Sequence, residues 1–161
     1  MEYLLKDNIL NEVFAKAEEQ LFAAKRIKFE KGSKWANLHF PKGSGVYAIF
    51  EDGKKLLYIG ETGNLQKRIE ELNRTVNHSF RKQIGFIRFN GIKTSKKFAE
   101  EVEYKINQFY ETNLFIAYIE INFGRIEIET YLVSKYQPQL LNSEKKRKTE
   151  NFKHDKINNH I

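Results

Sequence analysis

The sequence predicts a mixed α/β (α+β) domain, and three observations carry that prediction. Two apolar runs rich in β-branched and aromatic residues, 45–50 and 56–60, flank Glu51-Asp52-Gly53-Lys54, the pattern of a β-hairpin. A third run, Phe115-Ile116-Ala117-Tyr118-Ile119-Glu120-Ile121, reads as a strand covered on both sides because it is nearly continuously apolar. Elsewhere apolar residues recur at the spacing of amphipathic helices.

Composition sets the outer limits. The 161 residues suit one domain with a real core. No stretch approaches the ~20 apolar residues of a membrane span. The start, Met1-Glu2-Tyr3-Leu4-Leu5-Lys6-Asp7, lacks the basic-then-apolar order of a signal peptide. With no cysteine, a disulfide frame and a thiolate metal site are both excluded, which fits a reducing cytoplasm. Lys and Arg outnumber Asp and Glu by 28 to 21, a formal charge of +7. Such an excess is compatible with binding a phosphate backbone through counterion release, without demanding it.

In chain order, residues 8–26 read as a helix with Leu10, Val13, Phe14, Ala17, Leu21 and Ala24 on its apolar stripe, capped by Asp7 or Asn8. Lys25-Arg26-Ile27-Lys28-Phe29-Glu30-Lys31 then reads as a solvated helix end and loop, and as a candidate phosphate contact. Trp35 sits in the next loop and is expected to pack on the domain. In the hairpin, Asp52-Gly53 is the signature of a two-residue type I′ turn, which needs φ > 0 at both central residues. Glu51 then faces Lys54, Phe50 faces Lys55, and Tyr47 faces Tyr58. That register stands two phenols on one face, roughly 5 Å apart at Cβ; a longer loop shifts it. Taken alone, the pair also reads as ordinary strand aromatics.

Asn64 suits the N-cap of a helix over 65–73, with Leu65, Ile69 and Leu72 inward and Arg68 beside that stripe. Asn77-His78-Ser79 suits the start of a short helix over 78–84, followed by a bend or extended piece. The basic residues Arg74, His78, Arg81, Lys82 and Arg88 interleave there with Phe80, Ile84, Phe86 and Phe89, a mixture that suits a nucleic-acid face or a core edge. Arg74, Arg81 and Lys82 are the candidate DNA contacts. After the Asn90-Gly91 turn, Ser95 caps a helix over 96–111 whose stripe is Phe98, Val102, Ile106 and Phe109. Glu100, Glu101 and Glu103 face out as a solvated surface.

The segment 125–136 separates two acids. On a helix, Ile126, Ile128, Leu132, Val133 and Tyr136 cover one half, and Glu127, Thr130, Ser134 and Lys135 the other. Glu129 falls near the middle of the apolar half. An unpaired buried carboxylate costs several kcal/mol. Glu129 therefore needs a cation, a set of donors or a wet cleft, whereas Glu127 needs none; a structural ion pair, with Arg68 for instance, is the other reading. Pro138 stops the helix. Leu140-Leu141-Asn142 can dock back, and 143–161 reads as a basic tail.

These elements together resemble the GIY-YIG nuclease family. Gly45-Val46-Tyr47, then Tyr58-Ile59-Gly60, Arg68 ten residues after the second tyrosine, and Glu129 on a helix ended by Pro138 and followed by Asn142 stand in the family's order over residues 43–142. His78 is similar to a histidine that some members carry. The resemblance implies a central three-stranded sheet flanked by helices, with an added N-terminal helix in residues 1–42 and the basic tail lying outside the family core. It implies divalent-metal-dependent hydrolysis of DNA to 5′-phosphate and 3′-hydroxyl ends. Tyr47, Tyr58, Arg68, His78 and Glu129 are then the catalytic set, and Glu129 is the carboxylate on Mg²⁺ or Mn²⁺. Gly45, Gly60 and Asn142 support them. The lack of an added domain of obvious size points to a restriction-type or stand-alone nuclease, with DNA as partner. Duplex cleavage would require a homodimer, sequential cuts or reorientation. A non-catalytic DNA-structure or protein-binding module on the same scaffold is the alternative, and a basic adaptor acting through its tail is a third.

Overall fold

Asp52 and Gly53 take the positive φ values, 52° and 69°, that a type I′ turn requires, and the Lys54 N–H donates to the Glu51 carbonyl at 3.1 Å. The computed structural model in which this turn is seen describes residues 7–36, 38–74, 77–92 and 97–142. The turn joins β2 (Gly45–Glu51) to β3 (Lys55–Thr62), after β1 (Ile27–Lys28) and before β4 (Leu114–Glu120). The helices are α1 (Asp7–Ala23), α2 (Ser33–Ala36), α3 (Leu65–Glu70, extended by a 3₁₀ turn over Glu71–Asn73), α4 (Ser79–Phe89), α5 (Glu100–Asn113) and α6 (Arg125–Tyr136).

The four strands pair antiparallel in the order β1-β4-β2-β3, with β2 in the interior. The fourth strand, β1, is two residues long and lies where the sequence predicts a loop. The hairpin register also differs from the expected one. Lys54 joins the loop as a third residue, so Glu51 faces Lys55 and Phe50 faces Leu56 instead of Lys54 and Lys55; Ile49 then faces Tyr58 and Tyr47 faces Gly60, because Leu57 is bulged between the two pairings. The bulge turns both Leu57 and Tyr58 to the face that carries Tyr47 and Ile49. Tyr47 and Tyr58 thus share a face as diagonal neighbours rather than direct partners, with ring centroids 6.2 Å apart.

Both faces of the sheet are covered, as the apolar run of β4 requires. Helices α1 and α6 close one face, where Ala17, Leu21, Ile128 and Leu132 pack on Val46, Ala48, Ile59 and Ala117. On the other face, Ile69 and Leu72, Phe80 and Ile84 of α4, and Ile106 and Tyr110 of α5 pack around Tyr47, Tyr58 and Ile116. Phe29, Trp35 and Phe40 join this second core. The Trp35 Nε1–H donates to the Ile69 carbonyl at 2.9 Å, which ties α3 down beside Arg68.

Three helices depart from expectation for local reasons. Only the second half of α1 reaches the sheet, so Leu10 and Val13, placed on the apolar stripe, are exposed. The helix ends at Ala23, where Arg26 folds back to donate to the carbonyls of Phe22 and Ala24 at 3.0 and 2.9 Å. The expected caps Asp7 and Asn8 have no described side chains.

Helix α4 runs through Gly85 to Phe89 instead of stopping at 84, despite the roughly 1 kcal/mol that a helical glycine costs. The Phe98 ring occupies the notch: a Cβ on Gly85 would lie 2.1 Å from it. Phe98 precedes α5 instead of lying on it, and its N–H donates to Glu103 Oε1 at 2.9 Å. Glu103 is therefore half-buried, not part of a solvated face. Ser95 and the tail over 143–161 lie outside the described residues.

Candidate active site

Strand β2 brings Tyr47 into the sheet's interior, and Gly60 opposite it makes room for the ring. A Cβ on Gly60 would sit 2.4 Å from the Tyr47 hydroxyl and 2.5 Å from its Cζ, so only glycine lets the phenol cross β3 at this level. Gly45 serves the backbone in the same way, since a Cβ there would lie 2.2 Å from the Ile119 carbonyl oxygen.

Helix α3 delivers the cation. Asn64 caps it as expected, its Oδ1 accepting the Lys67 N–H at 2.9 Å. Leu65 and Ile69 are buried, which aims Arg68 along the rim of the core. The Arg68 Nε–H donates to the Tyr47 hydroxyl at 3.3 Å, and Nη1 donates to Glu71 Oε2 and the Asn77 carbonyl, both at 3.0 Å. About a quarter of the Arg68 side chain, 26%, meets solvent, while Tyr47 is fully buried. The guanidinium is the exposed group that lies over the phenols.

His78 begins α4 and is fully buried. Its Nδ1 accepts the Phe80 N–H at 3.2 Å, as an N-cap side chain does. A nitrogen that accepts has no proton, so the hydrogen-bond pattern assigns the ring proton to Nε2. Nε2 lies 3.0 Å from the Tyr47 oxygen and in this tautomer donates to it. The Tyr47 oxygen thus receives two donors, Arg68 and His78, and the Tyr58 ring stands beside that of Tyr47, with centroids 6.2 Å apart. The Tyr58 hydroxyl continues to Ser79 Oγ at 2.7 Å. Phe80 and Tyr110 floor the cluster, with the Phe80 ring edge-on to Tyr58 at 5.5 Å.

Burial sets the resting charges. It pushes the Tyr47 phenol well above its ordinary value, as does the neighbouring Tyr58, and Arg68 offsets only part of this. Burial, and the charges of Arg68 and Lys82, hold His78 well below its ordinary value. Burial works against the Arg68 cation, but the phenols of Tyr47 and Tyr58 and the Glu71 carboxylate outweigh it and raise Arg68. The resting site is a neutral phenol and a neutral imidazole under a fixed guanidinium.

On the other side of the sheet, α6 packs along β3 and β2. Arg125 in its first turn pairs with Glu61 near the end of β3 at 2.9 Å. Glu129, one turn on, is buried at 5% exposure and Glu127 is exposed, the division its helical position implied. Beyond α6, the Leu141 N–H donates to the Leu57 carbonyl at 2.7 Å. Asn142 then holds both backbone groups of Ile59, accepting its N–H at 3.1 Å and donating to its carbonyl at 2.6 Å. That side chain stands in for a neighbouring strand along β3, between Tyr58 and Gly60.

Hydrogen bonds and ring contacts thus join Tyr47, Tyr58, Arg68 and His78 in one network, and Asn142 braces the strand beneath it. Of the expected DNA contacts, Arg74 is exposed and Lys82 half-buried. Arg81 requires correction: it is buried, its Nη2 donating to Glu103 at 2.9 Å and Asn107 at 2.6 Å, with its guanidinium over the Tyr110 ring. It secures α4 to α5 and is not available to phosphate. Sequence reasoning missed Ser79 and Glu71. Glu71 was legible as the i+3 partner of Arg68 on a helix; Ser79 was visible only as part of a helix start.

Among the described residues no helix is long and apolar enough to cross a membrane. No curated protein sequence matches the chain. Among solved structures it is similar to the GIY-YIG N-terminal endonuclease domain of UvrC from Thermotoga maritima, a point mutant bound to its catalytic divalent cation. The two are 20% identical over 80% of this chain and 96% of that one, with a TM-score of 0.36, a likeness too loose to bear on the site. The family model of the GIY-YIG catalytic domain matches residues 26–160, nearly the whole chain and every residue of the network described above, so the protein belongs to the GIY-YIG family and is an endonuclease.

Proposed function

We propose that this endonuclease hydrolyses phosphodiester bonds of DNA with the help of a divalent cation, leaving 5′-phosphate and 3′-hydroxyl ends. The observation that carries the reading is the Tyr47 oxygen, which receives both the Arg68 and the His78 donors beside Tyr58. Tyr47 orients the attacking water and accepts its proton. Arg68 clamps the scissile phosphate and opposes the charge that builds on its oxygens. His78, a donor in this tautomer, holds the Tyr47 oxygen in place; it is neither a base nor a phosphate ligand in this arrangement. Tyr58, held by Ser79 Oγ at 2.7 Å, hydrogen-bonds the water or phosphate. Arg74 and Lys82 are the contacts to flanking phosphates.

Glu129 is the residue that would hold the cation. Its carboxylate is buried, and among the described residues no three His, Asp or Glu side chains cluster as a multi-ligand metal site. One carboxylate completed by water and phosphate oxygens suits a hard cation such as Mg²⁺ or Mn²⁺. When bound, such an ion acts as a Lewis acid toward phosphate and leaving oxygen.

The nuclease core spans residues 43–142, with residues 1–42 as an N-terminal helical extension and 143–161 as a basic tail. A restriction-type or stand-alone role in a reducing cytoplasm fits the cysteine-free chain. One set of these residues cuts one strand, and a second copy is the simplest route to duplex cleavage. Supercoiled plasmid incubated with Mg²⁺ or Mn²⁺ tests the reading. Nicking or linearisation is expected, abolished by chelation and by Glu129→Ala. Cutting that needs no metal and survives in Glu129→Ala would defeat it.

A further inference from the structure

We propose that Phe123 is a base-stacking residue, its ring taking up a nucleobase turned out of the DNA next to the phosphate that is cut. The proposal deepens the reading of this site as a nuclease on DNA and rests on it.

Phe123 is 94% exposed, more than any other large apolar side chain among the described residues. A lone apolar side chain at the surface is ordinary. What sets this one apart is how it is held. It stands on the link 121–124 between β4 and α6, and both ends of that link are fixed. At the first end, the Ile121 N–H donates to the Ser44 carbonyl at 2.9 Å, and the Ser44 hydroxyl donates to the Ile121 carbonyl at 2.5 Å. At the other, Gly124 turns the chain into α6 with a φ of 82°, and its carbonyl accepts the Ile128 N–H at 3.0 Å. Asn122 and Phe123 form the tip, and both are exposed. The ring is thus offered to solvent from a fixed base. An aromatic held in this way gives up little freedom when a partner stacks on it.

The link leads into the site. Arg125 is two residues on, so its Cα lies within about 7 Å of that of Phe123. Arg125 pairs with Glu61 at 2.9 Å. Glu61 directly follows Gly60, the residue that the Tyr47 phenol crosses, and Glu129 is one turn of α6 beyond Arg125. The ring therefore stands beside the end of β3 that carries the hydroxyl and just ahead of the helical turn that carries the carboxylate. A strand whose phosphate lies between those groups has its neighbouring bases at this end of the sheet.

Charge around the tip is mixed. Lys42, two residues before Ser44, and Arg125 are offset by Glu61 and by Glu120, whose carboxylate lies against Gly43. The tip therefore offers a ring rather than a field, and the base is the part of DNA that a ring accepts. Every base has a π face, so the contact tolerates any sequence. The base must first leave its own stack, which is easiest for an unpaired one.

The test measures binding in chelator, so that no strand is cut. One probe is a labelled duplex with a single unpaired nucleotide at its centre, and the other is the fully paired duplex. Phe123→Ala is expected to weaken binding to the first probe by about 5–150-fold, the range of one base–aromatic stack, and to remove the preference for it over the second. The salt slope of log K should hold, because no charge is lost. The urea midpoint should hold too, because the ring is exposed. Phe123→Trp should keep the affinity, and its indole emission, read above that of the buried Trp35, should be quenched by the unpaired probe. Equal binding by wild type and Phe123→Ala overturns the proposal and leaves the nuclease reading intact, as does an unquenched Phe123→Trp. A dimer that dissociates in Phe123→Ala, read by sedimentation, gives the ring to a protein contact and also overturns it. A wild-type protein that binds neither probe defeats the proposal together with the DNA reading beneath it.

Discussion

Gly60→Ala is the sharpest probe of the site, because it adds one methyl group at a place where the structure leaves none free. The added carbon would lie 2.4 Å from the Tyr47 oxygen and 2.5 Å from Cζ. Non-bonded heavy atoms rest at about 3.5 Å or more, so the ring must retreat by about 1 Å. Tyr47 is fully buried, with Tyr118 opposite it on the far side and Tyr58 and His78 against its ring, so the retreat is resisted. Overpacking of this kind costs about 1–3 kcal/mol, which a domain of ordinary stability survives. The same displacement pulls the phenol oxygen off its donors, and a misplacement of about 1 Å at reacting groups can cost about 100-fold in rate. The assay is the initial rate of plasmid nicking with Mg²⁺, with urea unfolding and DNA affinity measured on the same preparation. The expected result is a folded protein that binds DNA and cuts it about 100-fold more slowly. A folded Gly60→Ala enzyme cutting at the wild-type rate would show that the Tyr47 position does not matter to the chemistry.

Further tests address the supports. His78 is held below its ordinary value of 6.5, so on acidification the unfolded chain takes up a proton that the folded chain refuses. Its contribution is therefore fully present above that value and is lost as pH falls through and below it. Denaturation midpoints across pH should show a slope approaching ~1.4 kcal/mol per unit in this window, absent in His78→Asn, which keeps an N-cap. Asn142→Ala strips both partners from Ile59 and should cost about 1–3 kcal/mol by urea unfolding. Arg81→Met should destabilise by about 3 kcal/mol, the low end for a buried pair because Glu103 is partly exposed, and leave DNA affinity per folded molecule unchanged. Arg74→Ala and Lys82→Ala should each weaken binding and lower the salt slope of log K by about one, leaving stability alone.

What could be read from sequence was written in local chemistry. Asp52-Gly53 demanded its turn, Asn64 its helix and Pro138 a helix end, and the helical period alone separated Glu129 from Glu127. What escaped depended on distant partners. Strand β1 is two residues long, too short for any periodicity, and exists because β4 offers it an edge. Arg81 looked like a surface charge because Glu103 and Asn107 lie more than twenty residues away in the chain. The helix over 78–84 continues past its expected end because the ring that fills the notch at Gly85, Phe98, belongs to another segment. At the site, the types and order of Tyr47, Tyr58, Arg68 and His78 were legible, but not the direction of the hydrogen bonds among them. The His78 tautomer follows from a backbone N–H, and no side-chain pattern reveals it.

The extra residue at Leu57 ties the spacing of the two tyrosines to a rule of parity. Continued without interruption from Glu51 and Lys55, the ladder would set Tyr58 against Ala48 and turn its hydroxyl toward α6, away from Arg68. One residue removed between the turn and Tyr58 is therefore tolerable if the kink goes with it, whereas one removed while the kink stays inverts the phenol. Length variation in this hairpin is constrained to such paired changes, and a homologue with a shorter hairpin should be found with a straight second strand.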